Sequence, residues 1–273
     1  MLKLIQPNDP VFENPGYRRD IIIFNVLDRA IRPSAFLLAS DGESYIIARN
    51  RADLACWVWT CSDISKAALN EILDALRLHF GGRELIVTAK LDVVKAVETY
   101  FTPLGYLEPT HTGLIAYQLK RLLPAPTVGY LRAAALEDLE MVYEWYRSFY
   151  ADCFDRPLLD DSRPVLEASI IAGYIHLLMA DDKPVCMVKA APETGKPYCL
   201  VHIVYTPPQY RGLGYAKHAV SDAVRPYLQQ GLYALLYADA GNPRSNAAYQ
   251  HIGFEAVGTV VETTMKLGAS SSI

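Results

Sequence analysis

The sequence predicts an α/β protein with two domains in tandem, each a mixed, mostly antiparallel twisted sheet flanked by helices. The chain has 273 residues, nearly twice the roughly 150 residues of an ordinary domain. In both halves, short apolar runs typical of strands alternate with helical patterns. The segment Leu122-Leu-Pro-Ala-Pro126 carries two prolines, which disfavour helix and sheet around them. We therefore place a linker at about residues 121–128 and predict domains over residues 1–122 and 128–268.

The composition excludes several classes of protein. Hydrophobic residues make up 51% of the chain and charged residues 21%, which is typical of a globular protein. The net charge is −4, so we expect no nucleic-acid partner, because such proteins normally present a strongly basic surface. No apolar run approaches the ~18 residues that a membrane helix needs, and no signal-peptide pattern is visible, so we expect no membrane partner.

The five cysteines are odd in number and scattered along the chain. Their spacing fits neither a disulfide framework nor a paired zinc-binding motif. The sequence therefore predicts a cytoplasmic protein without a metal cofactor.

The second half begins with two helices and a hairpin. Helical periodicity covers Leu136–Tyr150 and Pro164–Ala172. Apolar runs bounded by turn residues predict four strands, over Ile175–Ala180, Val185–Ala190, Tyr198–Thr206 and Tyr233–Ala238. The first two strands flank Asp181–Pro184, whose composition predicts a hairpin turn.

Two more helices separate the later strands. Ala216 begins a run of apolar residues at helical spacing, which Pro226 should kink or end. Asn242 is a good N-cap, because proline follows it at the first helical position. Closing strands are predicted over Phe254–Leu267.

The first half repeats this order of elements. It contains strands at 35–39, 44–48, 54–60 and 85–88, with helices at 69–80 and 91–101. The helix at 91–101 is followed by Leu104-Gly-Tyr106, and the last helix of the second half by the similar Ile252-Gly-Phe254, about 150 positions later. Agreement in both element order and ending predicts an internal duplication.

The segment between Tyr198 and Ala216 is the most informative. Its loop, Gln209-Tyr-Arg-Gly-Leu-Gly214, has two glycines, which permit a tight turn and a close approach of the backbone to a ligand. Free N–H groups and the helix dipole at the start of the next helix suit a pyrophosphate, and Arg211 adds positive charge. Position 217 is Lys217, not glycine, so the dinucleotide-binding fingerprint is absent. Taken alone, the loop is also compatible with an ordinary turn.

Two motifs together resemble one family. Gln209–Gly214 is similar to the Gln/Arg-x-x-Gly-x-Gly/Ala signature of the GNAT superfamily of N-acetyltransferases, which holds the pyrophosphate of acyl-coenzyme A. Asn242–Phe254 resembles that superfamily's second signature, a helix with asparagine, tyrosine and a closing Gly-Phe. The resemblance covers roughly residues 128–268. Over residues 1–120 only the element order agrees, because the segment at Cys61–Leu69 has no glycine, so we expect a degenerate GNAT-like half without a phosphate cradle.

The resemblance implies acetyl-CoA as the acyl-donor substrate. The strands Tyr198–Thr206 and Tyr233–Ala238 should separate, and the pantetheine arm should pair with backbone between them. An N–H group near Val204 or Tyr205 would act as oxyanion donor to the thioester carbonyl. The implied cofactor-binding residues are Val204, Tyr205, Thr206, Gln209, Tyr210, Arg211, Gly212, Leu213, Gly214, Tyr215, Ala216, Asn242 and Ser245.

Two residues of the last helix have alternative interpretations. The resemblance makes Tyr249 the acid that protonates the leaving thiolate, which needs only modest help because a thiol pKa is near 8.5. Core packing beside the closing Gly-Phe is the alternative for Tyr249. Asn242 either caps the helix, contacts pantetheine, or does both.

The attacking amine must lose a proton, because an ordinary ammonium group has a pKa of about 10.4. In the family a base often lies where this chain has Tyr198 and Leu200. His202 lies on the same strand, in phase with them, and is our candidate catalytic base, although a buried structural role is the alternative. Glu193 and a water relay are further alternatives.

The acceptor site is the least defined part of the sequence. Four aspartates lie between the first two helices of the second half: Asp152, Asp155, Asp160 and Asp161. Beside Arg156 and Arg163 they would favour a cationic amine, or they form a solvated loop.

The sequence thus predicts an N-acetyltransferase that moves an acetyl group from acetyl-CoA to a small-molecule or peptide amine by direct attack in a ternary complex. A non-catalytic acyl-CoA-binding sensor and a transferase with a longer acyl donor are the alternatives, and a homodimer is left open.

Overall fold

A computed structural model describes residues 3–52, 54–80, 84–124, 127–154, 158 and 161–268. Contacts divide the chain into two compact units, Met1–Ala116 with Val257–Ile273, and Tyr117–Ala256. The sequence analysis instead places residues 257–268 in the second domain. Compact units are defined by contacts and domains by ancestry, so the domain boundaries at 122 and 128 stay a prediction.

The described residues of the first half form both α-helices and strands. They are α1 (Pro15–Asp20), α2 (Asn25–Ala30), β1 (Leu37–Ser40), β2 (Tyr45–Arg49), β3 (Cys56–Thr60), α3 (Lys66–Phe80), β4 (Leu85–Ala89), α4 (Leu91–Phe101) and β5 (Tyr106–Leu119). The helix predicted at 91–101 has these bounds in the structure. The strand β5 begins well before the apolar run at its end. Its first half is mostly exposed and polar, so an apolar pattern does not mark where the strand starts.

The second half follows a matching order. Its elements are β6 (Tyr130–Ala133), α5 (Leu139–Phe154), α6 (Arg163–Ile171), β7 (Ile175–Ala180), β8 (Lys183–Pro192), β9 (Tyr198–Tyr205), α7 (Tyr215–Gln229), β10 (Tyr233–Asp239), α8 (Pro243–Ile252) and β11 (Glu255–Leu267). The predicted hairpin between β7 and β8 is confirmed, and Asp181 and Asp182 both have positive φ, as a tight hairpin turn requires.

The structure differs from two expectations for this half. Pro226 does not end α7, which continues to Gln229, because a proline in the last turn removes only its own hydrogen bond and the following residues still donate theirs; a kink at Pro226 stays a prediction. The closing segment is one strand, β11, and not several. It pairs antiparallel with β4, Val261 facing Ala89 and Met265 facing Leu85.

The sheets of the two units repeat one pattern of pairing. In the first unit the strand order is β1-β2-β3-β4-β11-β5, and in the second it is β10-β9-β8-β7-β6. β1/β2 and β2/β3 are antiparallel and β3/β4 parallel; β7/β8 and β8/β9 are antiparallel and β9/β10 parallel. The recurrence agrees with the element order from which a duplication is predicted.

Each unit has its own apolar core. In the first, Ile72 of α3 and Phe101 of α4 share a core with Ile47 and Val87 of the sheet. In the second, α5 and α6 cover Leu177, Met187 and Ile203. None of the described helices is long and apolar enough to cross a membrane.

Candidate active site

The glycine loop leads directly into α7. Gly212 and Gly214 both have φ of 82°, in the region that favours glycine, and Gly214 is the N-cap residue. Among the described residues, no side chain caps this end of α7. The first N–H groups of a helix have no partner within it, so the loop presents donors and the positive end of the helix dipole. A Cβ built on either glycine meets no described atom within 4 Å, so the loop borders open space.

The strands β9 and β10 part beside this loop. Their parallel pairing covers Tyr198–Leu200 against Tyr233–Leu235 and ends there. On its other edge β9 stays paired with β8 as far as Tyr205. The expected separation of these strands is therefore present, and it leaves the β10-facing edge of β9 available to an extended ligand.

A register shift interrupts the β8/β9 pairing. Lys189 faces Ile203 and Ala190 faces Val201, so His202 is the extra residue of a bulge in β9. If side chains alternated strictly along β9, His202 would lie on the same face as Tyr198 and Leu200. A bulge interrupts this alternation and changes the faces on which later side chains lie. The His202 side chain is exposed, while Tyr198 and Leu200 are buried.

The helix α8 supplies the opposite wall. Asn242 is its N-cap, and the Asn242 Oδ1 accepts a hydrogen bond from the Ser245 N–H at 3.1 Å. Gly253 ends the helix with φ of 112°. The predicted cap is confirmed, and the contact of Asn242 with pantetheine stays a prediction.

One cavity of about 1050 Å³ joins these elements within the second unit. Its lining includes most of the residues predicted from sequence: Val204, Tyr205, Thr206, Tyr210, Arg211, Gly212, Gly214, Tyr215, Ala216, Asn242, Ser245 and Tyr249. Among the described residues, Gln209, Leu213 and His202 do not line it, and all three are exposed. Their predicted roles stay predictions.

Tyr249 lies on the inner wall of this cavity. Its ring is 6.1 Å from that of Tyr117 and 5.9 Å from that of Phe254. Burial raises the pKa of the Tyr249 hydroxyl, and the nearby Cys153 and Cys186 raise it further. The phenol therefore stays protonated throughout the physiological pH range, and its predicted role as an acid stays a prediction.

Arg211 is engaged in the structure. Its guanidinium donates to the Thr206 carbonyl at 2.9 Å and to the Asp152 carboxylate at 2.6 Å. Both charged side chains are about half exposed. The positive charge expected beside the pyrophosphate is thus shared with an acidic residue that lines the same cavity.

Asp152, which the sequence analysis assigned to the acceptor cluster, lines this cavity on α5. The sequence analysis did not predict several other lining residues: Phe149 and Cys153 on α5, Lys217 on α7, and Arg244, Ala247, Ala248, His251 and Ile252 on α8. A helical signal was available, because Phe149, Asp152 and Cys153 are spaced i, i+3, i+4. Burial raises the pKa of the Cys153 thiol to about 11, so this cysteine is not an activated nucleophile.

The predicted acceptor cluster is described only in part. Asp155, Arg156 and Asp160 lie outside the described residues. Arg163 pairs with Glu140 at 2.9 Å and with Asp161 at 3.3 Å, all on exposed side chains. These contacts are those of a solvated surface and do not define an acceptor pocket.

A glycine loop at a helix start, a parallel strand pair that separates and a tyrosine-bearing helix thus surround one cavity of an α/β fold. The model of the acetyltransferase (GNAT) family matches residues 139–254, and the chain contains a GNAT domain over these residues.

Solved structures of low sequence identity share the fold over the whole chain. A GCN5-related N-acetyltransferase from Sphaerobacter thermophilus is 15% identical with a TM-score of 0.65, covering 100% of this chain and 97% of that one. A GCN5-related N-acetyltransferase from Kribbella flavida is 17% identical with a TM-score of 0.59, covering 95% and 98%. A tandem GNAT protein from the clavulanic acid biosynthesis pathway is 15% identical with a TM-score of 0.54, covering 99% of both chains. Among curated proteins, none matches the chain by sequence.

Proposed function

We propose that the chain is an N-acetyltransferase that moves the acetyl group of acetyl-CoA to an amine by direct attack in a ternary complex. The observation that carries this proposal is the single cavity on which the glycine loop, the open edge of β9 and Tyr249 converge. N–H groups from Tyr210 to Ala216 hold the pyrophosphate. The pantetheine arm pairs with β9 near Val204.

The chemistry of the step follows from these positions. The amine nitrogen attacks the thioester carbonyl carbon, and a β9 N–H near Val204 or Tyr205 stabilises the oxyanion that forms. When the carbon–sulfur bond breaks, the Tyr249 hydroxyl gives its proton to the departing thiolate. The proton lost by the amine goes to water or to His202.

A binding protein without catalysis is the second candidate. It is favoured by the strand positions Tyr198 and Leu200, where the residues present cannot act as a carboxylate or imidazole base, and by the exposed position of His202 outside the cavity lining. A transferase with a longer acyl donor is the third, since a cavity of about 1050 Å³ sets no narrow limit on acyl length.

In the first half, we propose that the corresponding cleft binds no coenzyme A. The parallel pairing of β3 and β4 covers only Cys56–Trp57 against Val87–Thr88. Beyond it, the Lys90 Nζ donates to the Thr60 carbonyl at 3.1 Å and to the Asp20 carboxylate at 2.8 Å. A side chain thus crosses between the strand ends where, in the second unit, the cavity opens.

Calorimetry and a thiol-release assay test these proposals together. Coenzyme A should bind once per chain, and two equivalent sites would overturn the proposal for the first half. Release of free thiol from acetyl-CoA should depend on an added amine from a panel of small amines and peptides. Binding without amine-dependent release would favour the sensor, and faster release from longer acyl thioesters would favour the third candidate.

A further inference from the structure

The helix α8 is held in place by a short segment that precedes the predicted second domain. We define the bracing segment as residues 117–123, from the end of β5 into the linker. Contacts place this segment in the second unit. It touches α8 at both ends of the helix and at Tyr249, and these contacts are independent of one another.

The first contact is a buried hydrogen bond. The Tyr117 hydroxyl donates to the Asn246 Oδ1 at 3.1 Å, and the Tyr117 side chain is 1% exposed. The Asn246 Nδ2 in turn donates to the backbone oxygens of Asp239 at 2.9 Å and Asn242 at 2.8 Å. Tyr117 therefore completes the polar network that fixes the start of α8 to the end of β10.

The second contact is between rings. The Tyr117 ring is 6.1 Å from the Tyr249 ring at an interplanar angle of 51°. Phe254 packs edge-on against the same Tyr249 ring at 5.9 Å. Tyr249 thus has two aromatic neighbours, and Tyr117 is one of the groups that limit the movement of its ring.

The third contact lies at the end of α8. The Leu123 N–H donates to the Ile252 carbonyl at 2.8 Å. Gly253 lies so close to the bracing segment that a Cβ there would be 2.6 Å from the Arg121 carbonyl oxygen. The closing Gly-Phe of the second motif thus has a direct physical cause, the passage of this backbone.

From these contacts we infer that Tyr117 is a positioning residue for the candidate acid Tyr249, supplied by the last strand of the first half. The inference rests on the proposed function. It gives the first half of the sequence a role in the reaction, because a strand that begins in the first unit ends against the acid of the second.

The test compares Tyr117→Leu with a matched control on the same strand. Tyr106 is also buried in β5, and its hydroxyl donates to the Phe80 carbonyl at 3.0 Å, in the first unit. Tyr117→Leu should lower kcat at least tenfold, with the KM for acetyl-CoA within twofold of the parent. Tyr106→Leu should lower thermal stability similarly while leaving kcat unchanged.

A double-mutant cycle separates positioning from packing. If Tyr117 acts through the Tyr249 hydroxyl, then Tyr117→Leu should change kcat by less than twofold in a Tyr249→Phe background, because no acid is left to misplace. Equal losses in both backgrounds would overturn the inference. So would an unchanged kcat for Tyr117→Leu in the parent.

Hydrogen exchange provides a readout that needs no activity. Amides of α8 should exchange at least tenfold faster in Tyr117→Leu than in the parent, with amides of α7 unchanged. If no amine is acetylated by the parent, the proposed function fails and the exchange measurement still decides the structural claim. Unchanged exchange in α8 would overturn it.

Discussion

Replacing Gly214 with valine perturbs the candidate cradle while leaving the interior of the second unit intact. Gly214 is the N-cap of α7, with φ of 82°. A Cβ added at Gly214 meets no described atom within 4 Å outside its own neighbours, and Gly214 lines the cavity. The substitution therefore adds volume at the proposed ligand site without a clash at the Cβ.

The substitution should change two free energies, that of unfolding and that of coenzyme A binding. A side chain held at this positive φ costs roughly 1–2 kcal/mol in backbone strain, which lowers the free energy of unfolding by about that amount. In the complex the valine methyl groups also occupy the volume through which a pyrophosphate reaches the N–H groups. We expect the Kd for coenzyme A to rise at least tenfold, or about 1.4 kcal/mol in binding free energy.

The matched control is Gly231→Val. Gly231 lies just beyond the other end of α7, has φ of 81°, and likewise has no described atom within 4 Å of a built Cβ. Both variants should lose the same stability in chemical denaturation, and only Gly214→Val should lose affinity in calorimetry. A folded Gly214→Val variant with the Kd of the parent would refute the proposal that this loop binds the pyrophosphate. If both variants bound coenzyme A equally weakly, the loss of affinity would reflect backbone strain alone.

Three further predictions concern charged and titratable groups. Tyr249→Phe should lower kcat and kcat/KM together by about 10²-fold in single-turnover measurements, with the KM for acetyl-CoA nearly unchanged; a kcat within twofold would refute the acid role. Because burial raises the pKa of Tyr249 above that of a free phenol, the parent should show no loss of rate from its deprotonation below pH 10. Asp152→Asn should tighten coenzyme A binding about two- to threefold at low salt, because it removes a negative charge from the cavity and releases Arg211. Weaker binding would show instead that Asp152 orients Arg211. Asp20→Asn should lower the free energy of unfolding by about 1–3 kcal/mol, because Lys90 loses its charged partner at 2.8 Å. The Kd for coenzyme A should not change. A loss of stability below about 0.5 kcal/mol would contradict this prediction.

Local patterns predicted the local structure well. The α4 bounds, the β7/β8 hairpin and the Asn242 cap each depend on a few adjacent residues, and the structure contains all three. The glycine loop was also visible, because its two glycines and the following helical pattern are contiguous in sequence.

Features set by distant residues were not predictable in this way. The bulge at His202 depends on how β8 lies against β9, and neither strand's own alternation encodes it. After the buried Tyr106, the first half of β5 is exposed and includes Pro109, so it lacks the apolar alternation by which strands are found. Tyr117 was overlooked because its partners, Asn246 and Tyr249, are more than a hundred residues away.

The pairing of β11 determines how the two halves of the sequence can be interpreted. Residues 261–265 complete the first unit by pairing with β4, where Thr88 Oγ1 also donates to the Glu262 carboxylate at 3.1 Å. The end of β5 belongs to the second unit, where Tyr117 contacts Tyr249. Each compact unit therefore contains a strand segment from the opposite half of the chain. A cut at the proline linker would remove the β11 segment from the first unit and Tyr117 from the second, so we expect neither half of the sequence to form its compact unit alone.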